Sequence, residues 1–522
     1  MLPNLVRATQ QFKSFATSTA TRATTQRWHK RRVVVTGVGA ITPIGADMPT
    51  TWDAVLRPNL AGIDSINGGI TSLETALALQ SLPTDQYRRE WEWIKTLSCQ
   101  VAASVNSEWI TLHPSSHHLQ INDGRTSRFV QLALIAAQEA VEHSKLDDWL
   151  GLHLDDDVSN SSTYRTRRES IGVSVGNGMS STRDISMATL QLDQSNDANH
   201  RSRAHRKISP HFVPRILPNS PSARIAIHNQ LLGPNLTHSE ACAAGACAIA
   251  HGVELIQSGR AMGMVCGGCE SAVEALGLIG FSRLRALSSG TSGSSCSSDT
   301  TMRACSRPFD SSRDGFVLAE GAAMLVLEEH NHAISRGANI LAEIIGIGYS
   351  GDGFHITAPE PEGKGAARAM RNAALDAGID MQDVDYINAH ATSTPVGDVA
   401  EIRAIQLALS QSPAAAGASI TMKPLFVSST KGAMGHLLGA SGAIEAAVTT
   451  MAVANQVVPH THNLECVSND IAQVVVSSDQ NIRLVQHKPI SQGVDVAMSN
   501  SFGFGGTNVS LVFDKYQSHK FK

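Results

Sequence analysis

Val33-Val-Val-Thr-Gly-Val-Gly39 and Ile340-Leu-Ala-Glu-Ile-Ile-Gly-Ile-Gly348 are two apolar runs, far apart in the chain, that each end at a Gly-x-Gly corner. Each run predicts a buried strand followed by a tight turn. After both runs the chain alternates between apolar segments and longer segments with helical spacing, which is typical of βαβ units around a buried, largely parallel sheet. The second half of the chain therefore repeats the element order of the first. Residue identity between the halves is too weak to prove a duplication.

The other predicted elements follow from the spacing of apolar residues and from glycine corners. Asp155–Arg168 is polar and is predicted to be a loop, whereas residues 288–301 are rich in Ser, Gly and Thr and are interpreted as a flexible surface insertion. Val494–Phe513 predicts two strands joined by a glycine-rich loop. We predict helices at Thr126–Lys145, Ala243–Gly259, Lys364–Gly378 and Glu401–Leu409, and strands at Ile171–Val175, Val384–Asn388 and Leu425–Ser429.

Composition excludes several classes of protein. The chain has 522 residues, with 42 basic and 46 acidic side chains, a net charge of −4 and a pI near 6.6, so no overall charge attracts nucleic acid or an anionic membrane. No apolar run approaches the roughly 20 residues that span a bilayer, and a soluble protein is expected. The eight cysteines follow no disulfide framework, which favours a reducing compartment. Cys266 and Cys269 are interpreted as small residues of a buried strand and Cys247 as a core residue.

The first residues differ from the rest of the chain. No Asp or Glu precedes Asp47, basic residues are frequent, and hydroxyl side chains crowd Ser14–Thr25. This composition predicts an organelle transit peptide over residues 1–30, with a disordered basic tail as the alternative. The abundance of arginine favours the mitochondrial matrix over a plastid.

Three distant segments carry side chains whose chemistry fits a single site. A lone cysteine with distant histidines is the outline of a thiol nucleophile with proton-handling partners. A cysteine at the start of a buried helix is expected to have a lowered pKa, and the helix N–H groups can stabilise an oxyanion; a merely buried cysteine is the alternative. The segments are Ser239-Glu-Ala-Cys242-Ala-Ala-Gly-Ala-Cys247, Asn388-Ala-His390-Ala-Thr-Ser-Thr-Pro-Val-Gly-Asp398 and Lys431-Gly-Ala-Met-Gly-His436-Leu-Leu-Gly-Ala440.

These motifs resemble the Cys-His-His site of the β-ketoacyl-[acyl carrier protein] synthases, and the resemblance runs from about Arg31 to Phe513. It implies a thiolase-like α/β fold with two similar halves in αβαβα layers, at residues 31–338 and 339–515. It also implies a decarboxylative Claisen condensation of malonyl-carrier with an acyl chain held on Cys242, in fatty acid elongation. His390 and His436 would stabilise the enolate, and Lys431 would place a fixed cation beside them.

Further site residues are carried over from the resemblance. Glu445 matches the family's buried carboxylate and would pair with Lys431 or brace the site. Phe504, in the match to Asn-Ser-Phe-Gly-Phe-Gly-Gly-Thr-Asn, would supply an oxyanion N–H and a gating ring. Thr392 and Thr394 would bind the pantetheine arm, although they could also cap a helix. Met179 and Phe281 would line the acyl tunnel, with ordinary core packing as the alternative.

The chain departs from the family pattern at Glu240 and Ala243, where many relatives carry Thr, and at Ala391, where they have Gly. These changes put neighbouring contacts and loop geometry in doubt, but not the nucleophile.

The resemblance also implies an acidic acyl carrier protein as partner and a homodimer, with no cofactor or metal. Arg125, Arg128, Arg283 and Arg285 are the candidates for carrier docking, although solvated surface arginines are the default interpretation. The apolar side of the Phe129–Val141 helix is expected to face the partner subunit. A polyketide-type ketosynthase, a thiolase-like acyltransferase and a non-catalytic subunit resembling the chain-length factors are the alternatives.

Overall fold

The apolar runs of the sequence form one mixed sheet of eleven strands. The computed structural model describes residues 30–58, 69–115, 119, 121, 124–155, 161–193, 205–290, 302–411, 423–477 and 481–517. The predicted transit peptide and the insertion at 288–301 lie outside these residues, apart from Lys30 and residues 288–290. Side by side, the strands of the sheet are β12 (Ile482–Leu484), β10 (Leu425–Ser428), β9 (Tyr386–Asn388), β14 (Val496–Gly503), β15 (Thr507–Asp514), β8 (Ala342–Gly351), β1 (Val33–Ile41), β7 (Gly321–Glu329), β6 (Gly263–Glu270), β4 (Ile171–Gly176) and β5 (Asn235–His238). Two small ribbons pair β2 (Ile70–Ser72) with β3 (Val101–Ala103) and β11 (Val457–Val458) with β13 (Ile490–Ser491).

The strand order is the same on both sides of the seam between β1 and β8. Outward from β1, strands β7 and β6 pair antiparallel, and β6, β4 and β5 then run parallel. Outward from β8, strands β15 and β14 pair antiparallel, and β14, β9 and β10 then run parallel. This repetition supports the two similar halves that the sequence predicted. The expectation of a largely parallel sheet is wrong, because in each half the two strand pairings nearest the seam are antiparallel.

The helices form three layers around the two halves of the sheet. α5 and α10 cover the first half on the outside, α14 and α15 cover the second half, and α11 and α17 lie between the halves. The helices are α1 (Met48–Leu56), α2 (Leu73–Ala78), α3 (Thr84–Ile94), α4 (Ser107–Leu112), α5 (Arg128–Ser144), α6 (Leu146–Leu150), α7 (Ser162–Glu169), α8 (Thr182–Asp193), α9 (Phe212–Ile216), α10 (Ser220–His228), α11 (Ala244–Gln257), α12 (Ala275–Arg283), α13 (His330–Ser335), α14 (Lys364–Ala377), α15 (Pro395–Ser410), α16 (Lys431–Met434), α17 (Ser441–Asn455) and α18 (Asn469–Ser477).

The two central helices approach closely because small residues lie where they meet. A Cβ added at Gly245 of α11 would stand 2.9 Å from the backbone N of Ala443, and one at Gly442 of α17 would stand 2.8 Å from Ala246. Contacts this short leave no room for a side chain. The small-residue runs that follow Cys242 and His436 therefore bring the two halves, and with them the reactive groups, into contact.

Two local expectations are wrong. Residues 162–168 of the predicted loop lie in α7, in which Arg165 pairs with Glu169 at 3.1 Å and Arg167 lies over the Trp149 ring. The apolar side of α5 does not face a partner, because Phe129 and the rest of that side are buried against β1 and β7 of the same chain. Arg32–Lys522 form one compact unit, and no helix in the described ranges has the length and hydropathy that crossing a bilayer requires.

Candidate active site

Cys242 lies at a sharp corner between β5 and α11. The corner is a single 3-10 turn, Ala241–Ala243, and Ala241 has a left-handed backbone with φ of 50°. Such a conformation is unfavourable for a residue with a Cβ, and it is retained where surrounding contacts fix the chain. The corner holds the Cys242 thiol, which is 8% exposed, at the end of a cavity that opens to the surface.

The Cys242 sulfur has two close polar neighbours from the second half of the chain. Nε2 of His436 lies 3.1 Å from Sγ, and the backbone N–H of Phe504 donates to the sulfur. Burial nevertheless raises the pKa of Cys242 to about 12, against the opposing effects of the Lys431 charge and the Phe504 N–H. The expectation of a lowered pKa at the helix start is therefore wrong, since the loss of hydration outweighs the nearby positive charge. The resting group is a thiol that can donate to His436.

His390 and His436 lie side by side and are neutral. Their rings are 5.5 Å apart and nearly perpendicular, at 85°. Burial, together with the Lys431 ammonium, holds the pKa of both imidazoles well below its usual range. Nδ1 of His436 lies 2.8 Å from the Ser441 hydroxyl, which can accept from or donate to it. His436 can therefore carry its proton on either ring nitrogen.

Lys431 and Glu445 form a buried ion pair behind the histidines. Their side chains are 2% and 1% exposed, and Nζ donates to a Glu445 oxygen. Burial raises the pKa of Glu445 to about 7, and the Lys431 charge opposes that rise. The main chain at Lys431 is fixed as well, because the Ser306 hydroxyl donates to its carbonyl at 2.6 Å. The ammonium is held where it keeps both imidazoles neutral.

The cavity above Cys242 has a volume of about 480 Å³. Phe281, Thr392, Thr394 and Phe504 contribute to its wall, while Met179 is not among the described residues that line it. The Thr392 and Thr394 hydroxyls lie 3.2 Å apart, and Thr394 also caps α15 by accepting from Gly397 at 3.2 Å. Thr394 therefore caps the helix and also lines the cavity, and its contact with a pantetheine arm stays a prediction.

The four candidate docking arginines do not form one patch. The Arg128 guanidinium binds both oxygens of the buried Glu320, at 2.7 and 2.9 Å, which contradicts a docking role. The sequence could not show this ion pair, because Glu320 is far from Arg128 in the chain. Arg283 and Arg285 are exposed at the end of α12, and Arg285 lines the cavity mouth. Arg125 is exposed but does not line the cavity.

Sequence analysis missed two buried carboxylates that shape the site. The oxygens of Glu401 accept from the backbone N–H groups of His390 and Ala391, at 2.9 and 2.7 Å, and thereby hold the histidine loop. One oxygen of Glu270 accepts from Gly178 at 2.8 Å and Gly439 at 3.2 Å, and so ties the two halves together. Burial raises the pKa of each to about 7. An acid that ends an apolar strand, as Glu270 does, was the available signal.

The chain is similar to known ketosynthases over nearly all its length. Residues 30–333 match the family described as beta-ketoacyl synthase, N-terminal domain, and residues 341–465 match its C-terminal domain. A mitochondrial 3-oxoacyl-[acyl-carrier-protein] synthase of Arabidopsis thaliana is 38% identical over 94% of this chain and 95% of that protein. The 3-oxoacyl-[acyl-carrier-protein] synthase 2 of Staphylococcus aureus strain N315 is 36% identical over 94% and 99%. A ketosynthase solved with a type II polyketide acyl-carrier protein covers 94% of this chain and 100% of its own, with a TM-score of 0.71 and 24% identity, which bears on the fold alone.

The fold and the Cys-His-His site define a ketosynthase with a thiolase-like architecture, as the sequence predicted. The chain belongs to the β-ketoacyl synthase family. The predicted class of enzyme, an acyltransferase of the 3-oxoacyl-[acyl-carrier-protein] synthase type, is confirmed by these relatives over the thiolase and non-catalytic alternatives.

Proposed function

We propose that this chain elongates fatty acyl chains by condensing malonyl-carrier with an acyl group held on Cys242. The contact of 3.1 Å between Cys242 Sγ and His436 Nε2, with His390 beside it in the same cavity, carries this proposal. The relatives named as 3-oxoacyl-[acyl-carrier-protein] synthases support the type of substrate.

In the first half-reaction the Cys242 thiol attacks an acyl thioester. The thiol proton passes to Nε2 of His436 as the carbon–sulfur bond forms, because a thiol of raised pKa needs an acceptor. The backbone N–H groups of Cys242 and Phe504 stabilise the oxyanion of the tetrahedral intermediate. Collapse expels the carrier thiolate, which takes the proton from His436.

In the second half-reaction a malonyl thioester loses CO₂. The electron pair of the broken carbon–carbon bond forms an enolate, whose oxygen accepts hydrogen bonds from the neutral His390 and His436. The enolate carbon attacks the acyl carbonyl on Cys242 and the carbon–sulfur bond breaks. The Cys242 thiolate then takes the Nε2 proton of His436, which a proton from solvent replaces. Lys431, braced by Glu445, keeps the imidazoles neutral, and the Phe504 ring gates the cavity. Thr392 and Thr394 bind the pantetheine amides and Phe281 borders the acyl chain, whereas Met179 is not among the described residues that line the cavity.

We propose that the acidic carrier protein docks beside α12. Arg283 and Arg285 are exposed there, and Leu284 between them is 54% exposed, which gives an apolar contact within a basic rim. Arg283→Glu is expected to raise KM for the acyl-carrier about tenfold or more with little change in kcat, since a docking charge acts before the chemistry. Arg125→Glu is a matched charge change away from the cavity. Equal effects of the two variants would contradict this docking surface.

We propose a homodimer that pairs the β5 edges of two subunits. β5 has no neighbour on its outer side among the described strands, and exposed apolar side chains lie just before it in the chain, with Ile227 of α10 at 71% and Leu232 at 56%. Pairing two such edges around a two-fold axis satisfies their backbone groups and buries these residues. Sedimentation at nanomolar concentration is expected to show a dimer, and an active monomer would refute the interface.

We propose that residues 1–30 direct the chain to the mitochondrial matrix and are removed there, and that residues 31–338 and 339–515 are the two halves. The acid-free leader and the mitochondrial relative of Arabidopsis thaliana support this location over a plastid. Fusion of residues 1–40 to a fluorescent protein tests it. Plastid or cytosolic fluorescence would contradict the location.

The activity is tested with purified protein, malonyl-carrier and acyl-carriers of graded length. One round of condensation, with release of CO₂ and a single 3-oxoacyl product, is the expected result. A poly-β-keto product would favour the polyketide-type alternative. An intact but inactive protein that still binds both carriers would favour a non-catalytic subunit.

A further inference from the structure

Ser441, the first residue of α17, contacts the ring nitrogen of His436 that faces away from Cys242. Its hydroxyl oxygen lies 2.8 Å from Nδ1 of His436, and Ser441 is only 1% exposed. Nε2 of the same ring lies 3.1 Å from Cys242 Sγ. The thiol, the imidazole and the hydroxyl therefore form one hydrogen-bonded chain, in which the base contacts the nucleophile with one nitrogen and a third group with the other.

The His436 ring is held in place, so its protons can change position but its nitrogens cannot. The rings of Phe316 and His390 lie nearly perpendicular to it, with centroids 5.1 and 5.5 Å away. Turning the ring over would place carbon atoms opposite the thiol and the hydroxyl and would break both contacts. Ser441 is held as well, because Gly442 beside it meets α11, where an added Cβ would stand 2.8 Å from the nearest atoms of that helix.

The two half-reactions require opposite tautomers of this neutral ring. A neutral imidazole has one N–H and one bare nitrogen. The Cys242 thiol can pass its proton only to a bare Nε2, and the ring proton is then on Nδ1. The enolate oxygen can accept only from an Nε2–H, and Nδ1 is then bare. Because His436 is 2% exposed, Nδ1 is stabilised by a neighbour that accepts in the first case and donates in the second.

A hydroxyl can meet both requirements without moving a heavy atom. It has one O–H and acceptor lone pairs, and it rotates about the C–O bond. His390 provides a contrast, since its Nδ1 is buried and has no hydrogen-bond partner among the described residues. The proposed mechanism uses His390 in one half-reaction only. The ring that acts in both half-reactions is the one that contacts a hydroxyl.

We propose that Ser441 is a positioning residue that allows His436 to change tautomer between the two half-reactions. This inference rests on the proposed condensation. In the free enzyme the Ser441 oxygen accepts from Nδ1–H, and the bare Nε2 faces the thiol. In the acyl-enzyme the sulfur has no proton, so Ser441 donates to a bare Nδ1 while Nε2–H faces the malonyl carbonyl.

The protons of this cycle balance. On acylation, water supplies one proton to Nε2 and takes one from Nδ1, so the charge of the His436 ring is unchanged. When the Cys242 thiolate later takes the Nε2 proton, the proton that replaces it from solvent is held at Nδ1. The ring then again donates to Ser441 and has a bare Nε2, as at the start of the cycle.

Nitrogen NMR of the full-length protein labelled with nitrogen-15 histidine tests the tautomers, because a protonated and a bare ring nitrogen give well-separated signals. The signals of His436 are assigned by their loss in His436→Gln. Nδ1 is expected to be protonated in the free enzyme, and Nε2 after Cys242 is acylated by octanoyl-carrier. Methyl methanethiosulfonate converts the Cys242 thiol to a methyl disulfide, with methanesulfinate as the leaving group, and should cause the same change without any turnover.

Single-turnover rates give a second test. Ser441→Ala leaves Nδ1 without a partner in either tautomer, so Cys242 acylation and malonyl decarboxylation should each slow about 10–100-fold. Ser441→Thr keeps the hydroxyl and should restore most of both rates. Thr450→Val is the matched control and should react as the wild type does, because the buried Thr450 hydroxyl donates to the Ala446 carbonyl within the same helix.

The inference is overturned if His436 has the same tautomer in the free, acylated and methyl disulfide forms. It is also overturned if Ser441→Ala reacts at wild-type rates, or if Ser441→Thr loses as much as Ser441→Ala, which would show an effect of packing. If neither variant folds, the tautomers of the wild type decide. A folded wild type without condensing activity would refute the proposed function instead, and the methyl disulfide form would still show whether the tautomer follows the state of Cys242.

Discussion

The buried ion pair of Lys431 and Glu445 predicts that a variant lacking both charges will keep its stability but lose activity. Lys431→Met or Glu445→Gln removes one partner and leaves the other charge almost without exposure, since the side chains are 2% and 1% exposed. Breaking a buried pair in this way typically costs about 3–5 kcal/mol. The double variant leaves no isolated charge, so its free energy of unfolding should lie within about 1 kcal/mol of the wild type. The coupling between the two sites, the cost of the double change less the summed costs of the two single changes, is therefore expected to be at least about 5 kcal/mol, above the usual range for contacting residues.

Urea unfolding of the four proteins measures this coupling, and the slope of unfolding free energy against urea must be unchanged for the comparison to hold. The decarboxylation of malonyl-carrier by the same proteins gives the second measurement. The double variant should remain slow although it is stable, because the Lys431 charge, which adds to the effect of burial in lowering the pKa of His390 and His436, is gone. Additive losses of stability would refute the buried pair. A stable double variant with wild-type decarboxylation would refute the role of the Lys431 charge.

Three further predictions concern the reactive groups themselves. Cys242→Ala should abolish the acyl adduct seen by intact-protein mass spectrometry after incubation with acyl-carrier, while Cys247→Ala keeps it; an adduct on another cysteine would contradict the assignment. Alkylation of Cys242 by iodoacetamide should rise about tenfold per pH unit up to pH 10, because burial raises its pKa to about 12; a plateau near pH 8 would mean that a thiolate already exists. His390→Ala should slow decarboxylation about 10²–10³-fold but spare Cys242 acylation, whereas His436→Ala should slow both, because His436 also contacts the thiol. Equal effects of the two histidine variants in single-turnover assays would show that the roles are not divided in this way.

The sequence predicts the architecture well because its signals are local and repeated. Apolar runs that end at glycine corners became β1, β4 and β8, and small-residue segments became helices. The sequence predicted the hairpin of β14 and β15, but the antiparallel pairing of β7 with β1 and β6 was not predictable in this way, since a buried strand has the same apolar composition whichever way its neighbour runs. The α7 helix was missed because a polar helix has no apolar periodicity. Its described contacts include one exposed ion pair, between Arg165 and Glu169, and the stacking of Arg167 on Trp149.

The site was predictable in its residue types but not in its electrostatics. The motifs named Cys242, His390, Lys431 and His436, and the structure brings all of them together. Whether a cysteine at a helix start is a thiolate depends on the balance between its loss of hydration and its attraction to nearby positive charge. The loss of hydration depends on burial by the whole fold, and a local motif does not show it. The same limit applies to Arg128, whose neighbour Glu320 lies in another part of the chain.

The geometry of the site results from the contact between two similar halves that supply different reactive groups. The first half supplies the nucleophile at the corner after β5, and the second supplies both histidines and the ion pair at the corners after β9 and β10. Gly245 and Gly442 let the central helices touch, and Glu270 binds backbone N–H groups from both sides of that contact. A side chain larger than hydrogen at Gly245 would separate the halves, because the nearest atoms that it would meet, Ala443 N and Gly439 O at 2.9 Å, belong to the second half. This separation would lengthen the contact of 3.1 Å between Cys242 Sγ and His436 Nε2. We therefore expect a change in the packing of α11 against α17 to reduce activity more than it reduces the stability of each half.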